Sequence, residues 1–236
     1  MKDRPIIMSG PMVRALLAGT KTQTRRVIKP QPDYRGPRGC MDDPTCWGWE
    51  SEGGQHIGIV PPPPGDTSYD QHYQPLYQRG DRLYVRETWG VGTRPDPIQG
   101  WRDGIEYRAD EAYLQGEWDD LPLRSVVTPD GVCLGDYEQR WRPSIHMPRW
   151  ASRITLTVEH VKIERVQDIS GDDCIAEGAW PSDKRELGKS GEAIKAFCAL
   201  WGSLNAGRGY GWDANPWVVA VTFAVHLRNI DDPEAA

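Results

Sequence analysis

The stretch Pro11-Met-Val-Arg-Ala-Leu-Leu-Ala-Gly19-Thr-Lys21-Thr-Gln-Thr-Arg-Arg26 changes its pattern halfway along. Its first half reads as a helix: Ser9 or Gly10 can cap the entry, Pro11 fits the first turn, and Met12/Leu16 and Val13/Leu17 form i, i+4 apolar pairs. Gly19 ends that helix, because a residue without Cβ enters the left-handed conformation at a helix C-terminus without steric cost. From Lys21 the helical period is lost, and the β-branched residues running to Val27 and Ile28 predict an extended segment. An amine, hydroxyls and two guanidinia thus stand at a helix-to-strand junction, a placement suited to chemistry on anionic substrates. Lys21 and Thr24 are three apart and face opposite sides of a flat strand. Joint action by the two requires a turn or bulge between Gly19 and Arg25.

Working outward, residues 30–79 are rich in Pro and Gly, including Pro61-Pro-Pro-Pro-Gly-Asp66, and read as a long insertion or loop excursion. Regular pattern resumes in Arg82-Leu-Tyr-Val-Arg-Glu-Thr-Trp89, where alternation puts Leu83, Val85 and Glu87 on one face of a strand. Residues 90–140 return to mixed turns and form a second insertion. Arg153–Glu159 predicts another strand, continuing toward Val161 and Ile163, with Ile154, Leu156 and Val158 on a shared face. Ser170-x-x-Asp173 opens a helix that Gly178 closes, so Glu177 falls at its last position. A carboxylate there opposes the helix dipole by about 0.3–1 kcal/mol, so a partner is expected to hold it. Gly191 to Leu204 carries Ile194, Phe197, Cys198, Trp201 and Leu204 at helical spacing, all five read as packing residues. Trp217 to Leu227 is apolar on both faces at first and alternating later, which predicts a central closing strand.

Composition bounds the rest. A chain of 236 residues with eleven Trp, two Phe, twenty Pro and twenty-five Gly is read as one decorated domain, 1–236, with many turns and insertions at about 30–79 and 90–140. Five Cys in no regular framework, behind an N-terminus without an apolar leader, predict reduced thiols and a cytoplasmic location. The longest apolar run is too short for a membrane span, so no membrane partner is expected. A net charge of −6 argues against indiscriminate coating of duplex DNA. Yet residues 21–38 hold six cations against Asp33, and 140–153 hold four arginines and no acid, so an acidic body presents two basic segments.

In the second of these, Arg140-Trp-Arg142 and His146-Met-Pro-Arg149-Trp150 interleave cations with indoles, a pattern suited to phosphate contact beside base stacking on single-stranded or flipped nucleotides. The candidate substrate or nucleic-acid contacts are therefore Thr22, Arg25, Arg26, Glu87, Trp89, Arg142, His146, Arg149 and Trp150. The competing reading makes the tryptophans core anchors and the arginines partners of local carboxylates. Cys40, Cys46, His56 and His72 lack the paired spacing of structural zinc sites, and no phosphate-cradling loop or nucleophile elbow is present. Neither cofactor nor metal is expected.

Gly19, Lys21 and Arg26 resemble the Gly-x-Lys spacing and later Arg of the ASCH domain, a relative of the PUA-like fold, and the order of elements agrees over 4–29, 80–90, 145–178 and 192–228. Lys21-Thr-Gln-Thr-Arg-Arg26, Gly80-Asp-Arg-Leu, Pro143-Ser-Ile-His-Met-Pro-Arg-Trp-Ala-Ser152 and Asn215-Pro-Trp217 further resemble the long ASCH proteins of bacteriophages and prophages. That resemblance implies an α+β fold, a PUA-like, partly open β-barrel with flanking helices, acting in the bacterial host cytoplasm if phage-encoded. Many ASCH domains carry Glu where this chain has Thr24. A catalytic branch, the bacterial N4-acetylcytidine amidohydrolases, is similar instead in having Lys, Thr and Arg at the positions of Lys21, Thr24 and Arg26, with a third catalytic Glu that matches Glu177.

The resemblance implies Lys21 as base, Thr24 as nucleophile or water-positioner, and Glu177 as proton carrier, with Glu87 as the alternative third residue. For Lys21 to accept a proton near neutral pH its pKa must fall by about three units, through burial or nearby cations. The roles also require a hollow the size of one pyrimidine beside it. The expected partner is a modified nucleoside or single-stranded nucleic acid. The readings that stay open are amidohydrolase on N4-acylated cytidine, non-enzymatic RNA or modified-base binding module, ribonuclease, and phage morphogenesis factor.

Overall fold

In chain order the elements are β1 (Asp3–Ile7), α1 (Gly10–Leu17), β2 (Gln23–Val27), β3 (Asp33–Tyr34), β4 (Trp47–Glu50), β5 (His56–Gly58) and β6 (Gln71–His72). They continue with β7 (Arg82–Arg86), β8 (Trp89–Asp96), β9 (Gly100–Tyr107), β10 (Ala112–Gln115), β11 (Thr155–Arg165), α2 (Gly171–Ala176), α3 (Ser190–Asn205) and β12 (Trp217–His226). They come from a computed structural model that describes residues 1–36, 41–61, 64, 71–96, 98, 100–115, 141–179 and 190–232. Arg38, Cys40, Cys133 and Arg140 lie outside the described residues.

The fold is α+β, with three sheets and few helices. One sheet has five strands in the order β1-β7-β11-β12-β2, with β1 parallel to β7 and β12 antiparallel to β2; the others are β10-β9-β8 and β3-β4-β5-β6. No closed barrel forms among the described residues. The chain divides into two compact units. Met1, Gly19–Asp81 and Thr157–Ala224 make the first, and Lys2–Ala18, Arg82–Leu156 and Val225–Ala236 make the second. Among the described residues no helix is long and apolar enough to cross a membrane.

In the second unit α1 follows its local rules: Pro11 sits in the first turn, Val13 and Leu16 are buried, and beyond Ala18 the backbone reaches Gly19 at φ +68°. Ser9 caps with its backbone alone, accepting from Val13 N at 2.9 Å. β7 buries Leu83 and Val85, and the alternation carries on to bury Glu87 beyond its end. Of residues 90–140, read as mixed turns, those up to 115 supply, with Trp89, the paired strands β8, β9 and β10. Their glycines disguise the strands but are required by them. A Cβ on Gly92 would lie 2.7 Å from Glu106 Cδ, and one on Gly104 would lie 2.4 Å from Tyr113 Cζ. Trp89, Ile105, Tyr107, Met147 and Ala151 form the core beneath.

In the first unit the capping box of α2 is present: Asp173 N donates to Ser170 Oγ at 3.1 Å, and Ser170 N to Asp173 Oδ2 at 3.5 Å. Gly178 follows at φ +75°. α2 and α3 pack Cys174, Ile175, Phe197 and Trp201 against Val218 of β12. Leu204, expected to pack, is 44 % exposed, and Ala193 lies on the buried face of α3 instead. The reading of 30–79 as a loop excursion also needs correction, because that stretch builds the β3-β4-β5-β6 sheet from strands of two to four residues. Strands so short carry little periodic signal and rely on distant partners. Trp47 meets Tyr34 and Trp217 edge-on at 5.4 and 5.7 Å, and the Arg165 guanidinium lies 4.1 Å from the Trp47 ring centre and 4.4 Å from that of Trp217.

Candidate functional site

Lys21 does not belong to β2. It sits in the turn between Gly19 and Gln23, so the irregular backbone that joint action demanded is present. That turn is fixed by its neighbours: Thr22 N donates to Ala176 O at 2.8 Å, and Thr22 O accepts from Phe223 N at 2.9 Å. The Lys21 side chain is thereby carried to the end of α2, where it is fully buried. Its ammonium has three N–H groups and three acceptors: Gln23 O at 2.7 Å, Glu177 O at 2.8 Å and Glu177 Oε2 at 3.0 Å. The cation closes the C-terminal carbonyl of α2 and neutralises the carboxylate that stands there, which supplies the partner Glu177 was expected to need.

Glu177 is shared. Its second oxygen, Oε1, accepts from Arg25 Nη1 at 3.2 Å, so two cations divide one carboxylate. Arg25 is held in turn by Glu164 Oε1, at 2.8 Å from Nε and 2.6 Å from Nη2, by Asp173 Oδ2 at 3.2 Å, and by Gln23 Oε1 at 2.5 Å. Beyond Glu164, Lys162 Nζ lies 2.7 Å from Oε2, an ion pair by distance whose angles fall outside those of a hydrogen bond. Burial pulls the Lys21 ammonium below its ordinary pKa of 10.5. Glu177 opposes that shift, while Arg26 and Arg25 reinforce it. Burial also pushes the Cys174 thiol up to about 12, so that sulfur stays protonated and is no nucleophile.

Thr24 is separated from this cluster. Gln23 and Arg25 flank it in β2 and share the cluster face, so the two-residue period turns Thr24 to the opposite face, opposite Val221 in the register. Its hydroxyl is buried, and Oγ1 has no hydrogen-bond partner among the described residues. Lys21 and Glu177 are brought together; Thr24 is not brought to them. The Thr22 side chain is exposed beside the turn, and Arg26, half-buried, leaves its mark through its charge on Lys21.

Glu87 lies in the second unit. It is buried, and both its oxygens are taken by one partner, Arg153 Nε at 2.9 Å and Nη2 at 3.0 Å. Burial raises its pKa above the ordinary 4.5, against the pull of Arg153. Arg153 also binds Asp110 at 2.8 and 2.9 Å, and its guanidinium stacks 4.0 Å from the centre of the Tyr107 ring.

The nucleic-acid contacts read from 140–153 fare differently from their sequence pattern. Trp89 is 2 % exposed and Trp150 packs edge-on against it at 6.3 Å, so both indoles serve the core. Arg142 covers Trp89 at 5.2 Å, and Arg149 is bound to Asp3 at 2.6 Å and to Asp231 at 2.6 Å. Arg25, read as a substrate or nucleic-acid contact, is 4 % exposed among carboxylates. The physical reason is common to all: an indole gains more from burial than from a wet surface, and a guanidinium close to acids is already neutralised. His146 is exposed in a short 3-10 turn, Ser144–His146.

A cavity of about 360 Å³ lies elsewhere in the first unit, walled by Ile59, Pro61, Val161 and Ile163 and edged by His72, Gln74 and Gln78. Its lining includes none of Lys21, Thr24 or Glu177. Among the described residues no group of three or more His, Cys, Asp or Glu side chains is placed to hold a metal ion, and Cys46, Cys174 and Cys198 are free thiols. No protein-family model, no curated protein and no solved structure matches the chain.

Proposed function

We propose that this chain is a nucleobase-recognising protein of the ASCH, PUA-like type that hydrolyses the exocyclic amide of an N4-acylated cytidine. The observation that supports this reading is the fully buried Lys21 amine, its proton loosened by burial, in contact with the Glu177 carboxylate. Hydrolysis joins water to the acyl carbon and breaks the bond from that carbon to N4. One proton of the water must reach N4, and the products are cytidine and a carboxylic acid. Lys21, in its neutral form, takes the proton from the attacking water and returns it to the leaving nitrogen, while Glu177 holds the amine in place.

A neutral amine keeps only two N–H groups, so one of the three acceptors around Lys21 must be released. The contact with Gln23 O is the part-buried one of the three, and it is the one this reading releases. Because Thr24 faces the other side of β2, water rather than the Thr24 hydroxyl is the attacking group in this reading.

The test incubates the full chain with N4-acetylcytidine and follows cytidine by chromatography. Expected are cytidine from the unaltered chain, none from Lys21→Met, and undiminished turnover in Thr24→Val, which only removes an unpartnered hydroxyl. Lys21→Met turning over at the original rate would overturn the reading. A second reading, a binding module without chemistry, is favoured by the three acceptors that already saturate the Lys21 ammonium. Its signature is stabilisation by modified nucleosides, about 2.7 kcal/mol at a hundred times Kd, with no product formed.

A further inference from the structure

Arg25, read from the sequence as a substrate or nucleic-acid contact, is surrounded by acids in the fold. Glu164, Asp173 and Glu177 converge on the guanidinium, and the ring of Phe197 lies 6.0 Å from it. With Lys21 on Glu177 and Lys162 beside Glu164, three cations balance the three carboxylates, and what sets Arg25 apart is that it alone among the three touches all of them. Glu164 and Asp173 hold Nε and Nη2, which leaves Nη1 to Gln23 and Glu177 alone. A planar fork fixed at one edge aims its other edge.

We infer that Arg25 is the positioning residue of the Lys21–Glu177 pair: clamped by Glu164 and Asp173, it fixes Glu177 Oε1 so that Oε2 stays on the ammonium. On the reading that Lys21 accepts a proton, this clamp sets both the direction of the carboxylate and the field at the amine. The charged and titratable groups facing the pair are Arg25 and Arg26 of β2, Lys162 and Glu164 of β11, and Asp173 and Cys174 of α2; α3 contributes the Phe197 ring. Of these, Arg25 alone touches Glu177 while also depressing the proton affinity of Lys21.

The experiment separates charge from clamp. Full-length chain labelled at lysine 13Cε is titrated by NMR, with the Lys21 signal identified by its absence in Lys21→Met, and kcat and KM on N4-acetylcytidine are measured in parallel. Arg25→Gln removes the charge. Lys21 is then expected to titrate at higher pH, and the pH profile of kcat/KM moves with it. Arg25→Lys keeps the charge but cannot grip three carboxylates at once. Its Lys21 midpoint is expected to hold while the signal shifts position and kcat falls about tenfold at constant KM. An identical Lys21 midpoint in Arg25→Gln, or a Lys21 signal in Arg25→Lys superimposable on that of the unaltered chain, overturns the inference. Should Arg25→Gln not fold, Arg25→Lys decides it. If the unaltered chain makes no cytidine, the proposed activity fails while the NMR arms still judge Arg25.

Discussion

Arg25 and Arg153 are both guanidinia enclosed by acids, one in each compact unit, and they are wired differently. Arg153 takes both oxygens of Glu87 for itself and spends the rest of its fork on Asp110 and the Tyr107 ring. Arg25 takes one oxygen of Glu177 and leaves the other to an amine. In the first case, among the described residues, no second proton carrier touches the carboxylate. In the second, an ammonium whose proton is loosely held sits 3.0 Å from it. Of the two buried glutamates, Glu177 therefore shares its carboxylate between a guanidinium and a buried amine, and Glu87 gives both its oxygens to one guanidinium.

The comparison can be broken most forcefully through stability. Arg25→Met strands Glu164 and Glu177 among buried groups, and removal of one member of a buried pair costs about 3–5 kcal/mol. Arg153→Met is expected to cost less, because Asp110 on its far side is 29 % exposed and returns to water. Urea unfolding of both variants checks the order, and equal losses would erase the distinction.

Activity sharpens it next. Glu177→Gln keeps the shape but not the charge that holds the Lys21 amine, and it is expected to lower kcat/KM about 100-fold, the size of effect that a misplaced reacting group produces. Glu87→Gln should stay within about twofold, since it touches no reacting atom. Cytidine release by the two variants, compared at one protein concentration, decides between them, and the reverse ranking would make Glu87 the working residue.

The smallest effect is on pH dependence within the Arg153 cluster. Asp110 is held below its ordinary 3.8 by its hydrogen bonds to Arg153, so its contribution is present above that value and is lost as pH falls through the folded one. Glu87 is raised by burial above 4.5. The folded chain therefore binds more protons than the unfolded chain between 4.5 and the folded value, and stability declines as pH rises through that window. Lowering the pH through that window should thus raise the unfolding free energy, and Glu87→Gln should flatten that slope. Urea midpoints measured from pH 7 to 4 give the sign directly.

What the sequence made legible follows from the range of the forces involved. α1 with its Gly19 stop, the Ser170–Asp173 box and the Leu83/Val85/Glu87 alternation are set by neighbours three or four residues apart, and they stand where their patterns put them. The turn at Lys21 and a partner for Glu177 were also readable, one from face counting and one from the helix end. Arg25 was not. Its carboxylates lie 139 to 152 residues away, and a lone arginine beside a polar turn looks the same whether it awaits a phosphate or is already neutralised. The β3-β4-β5-β6 sheet was hidden for a similar reason, because its two- to four-residue strands are secured by a stack of Arg165 between Trp47 and Trp217 that spans most of the chain. Tryptophans in the 140–153 segment read as stacking platforms because interleaving with arginine fits a wet surface and a core rim equally well.

In the five-strand row β1 and β2 are the outermost strands among the described residues, β1 beside β7 and β2 beside β12. β1 carries Pro5, which brings no N–H to a further strand, and β2 carries, beside the buried Arg25, the half-buried Arg26, whose charge an incoming apolar strand would have to desolvate. The guanidinium committed to the interior carboxylates thus has a neighbour and a counterpart that guard the molecule against zipping onto copies of itself.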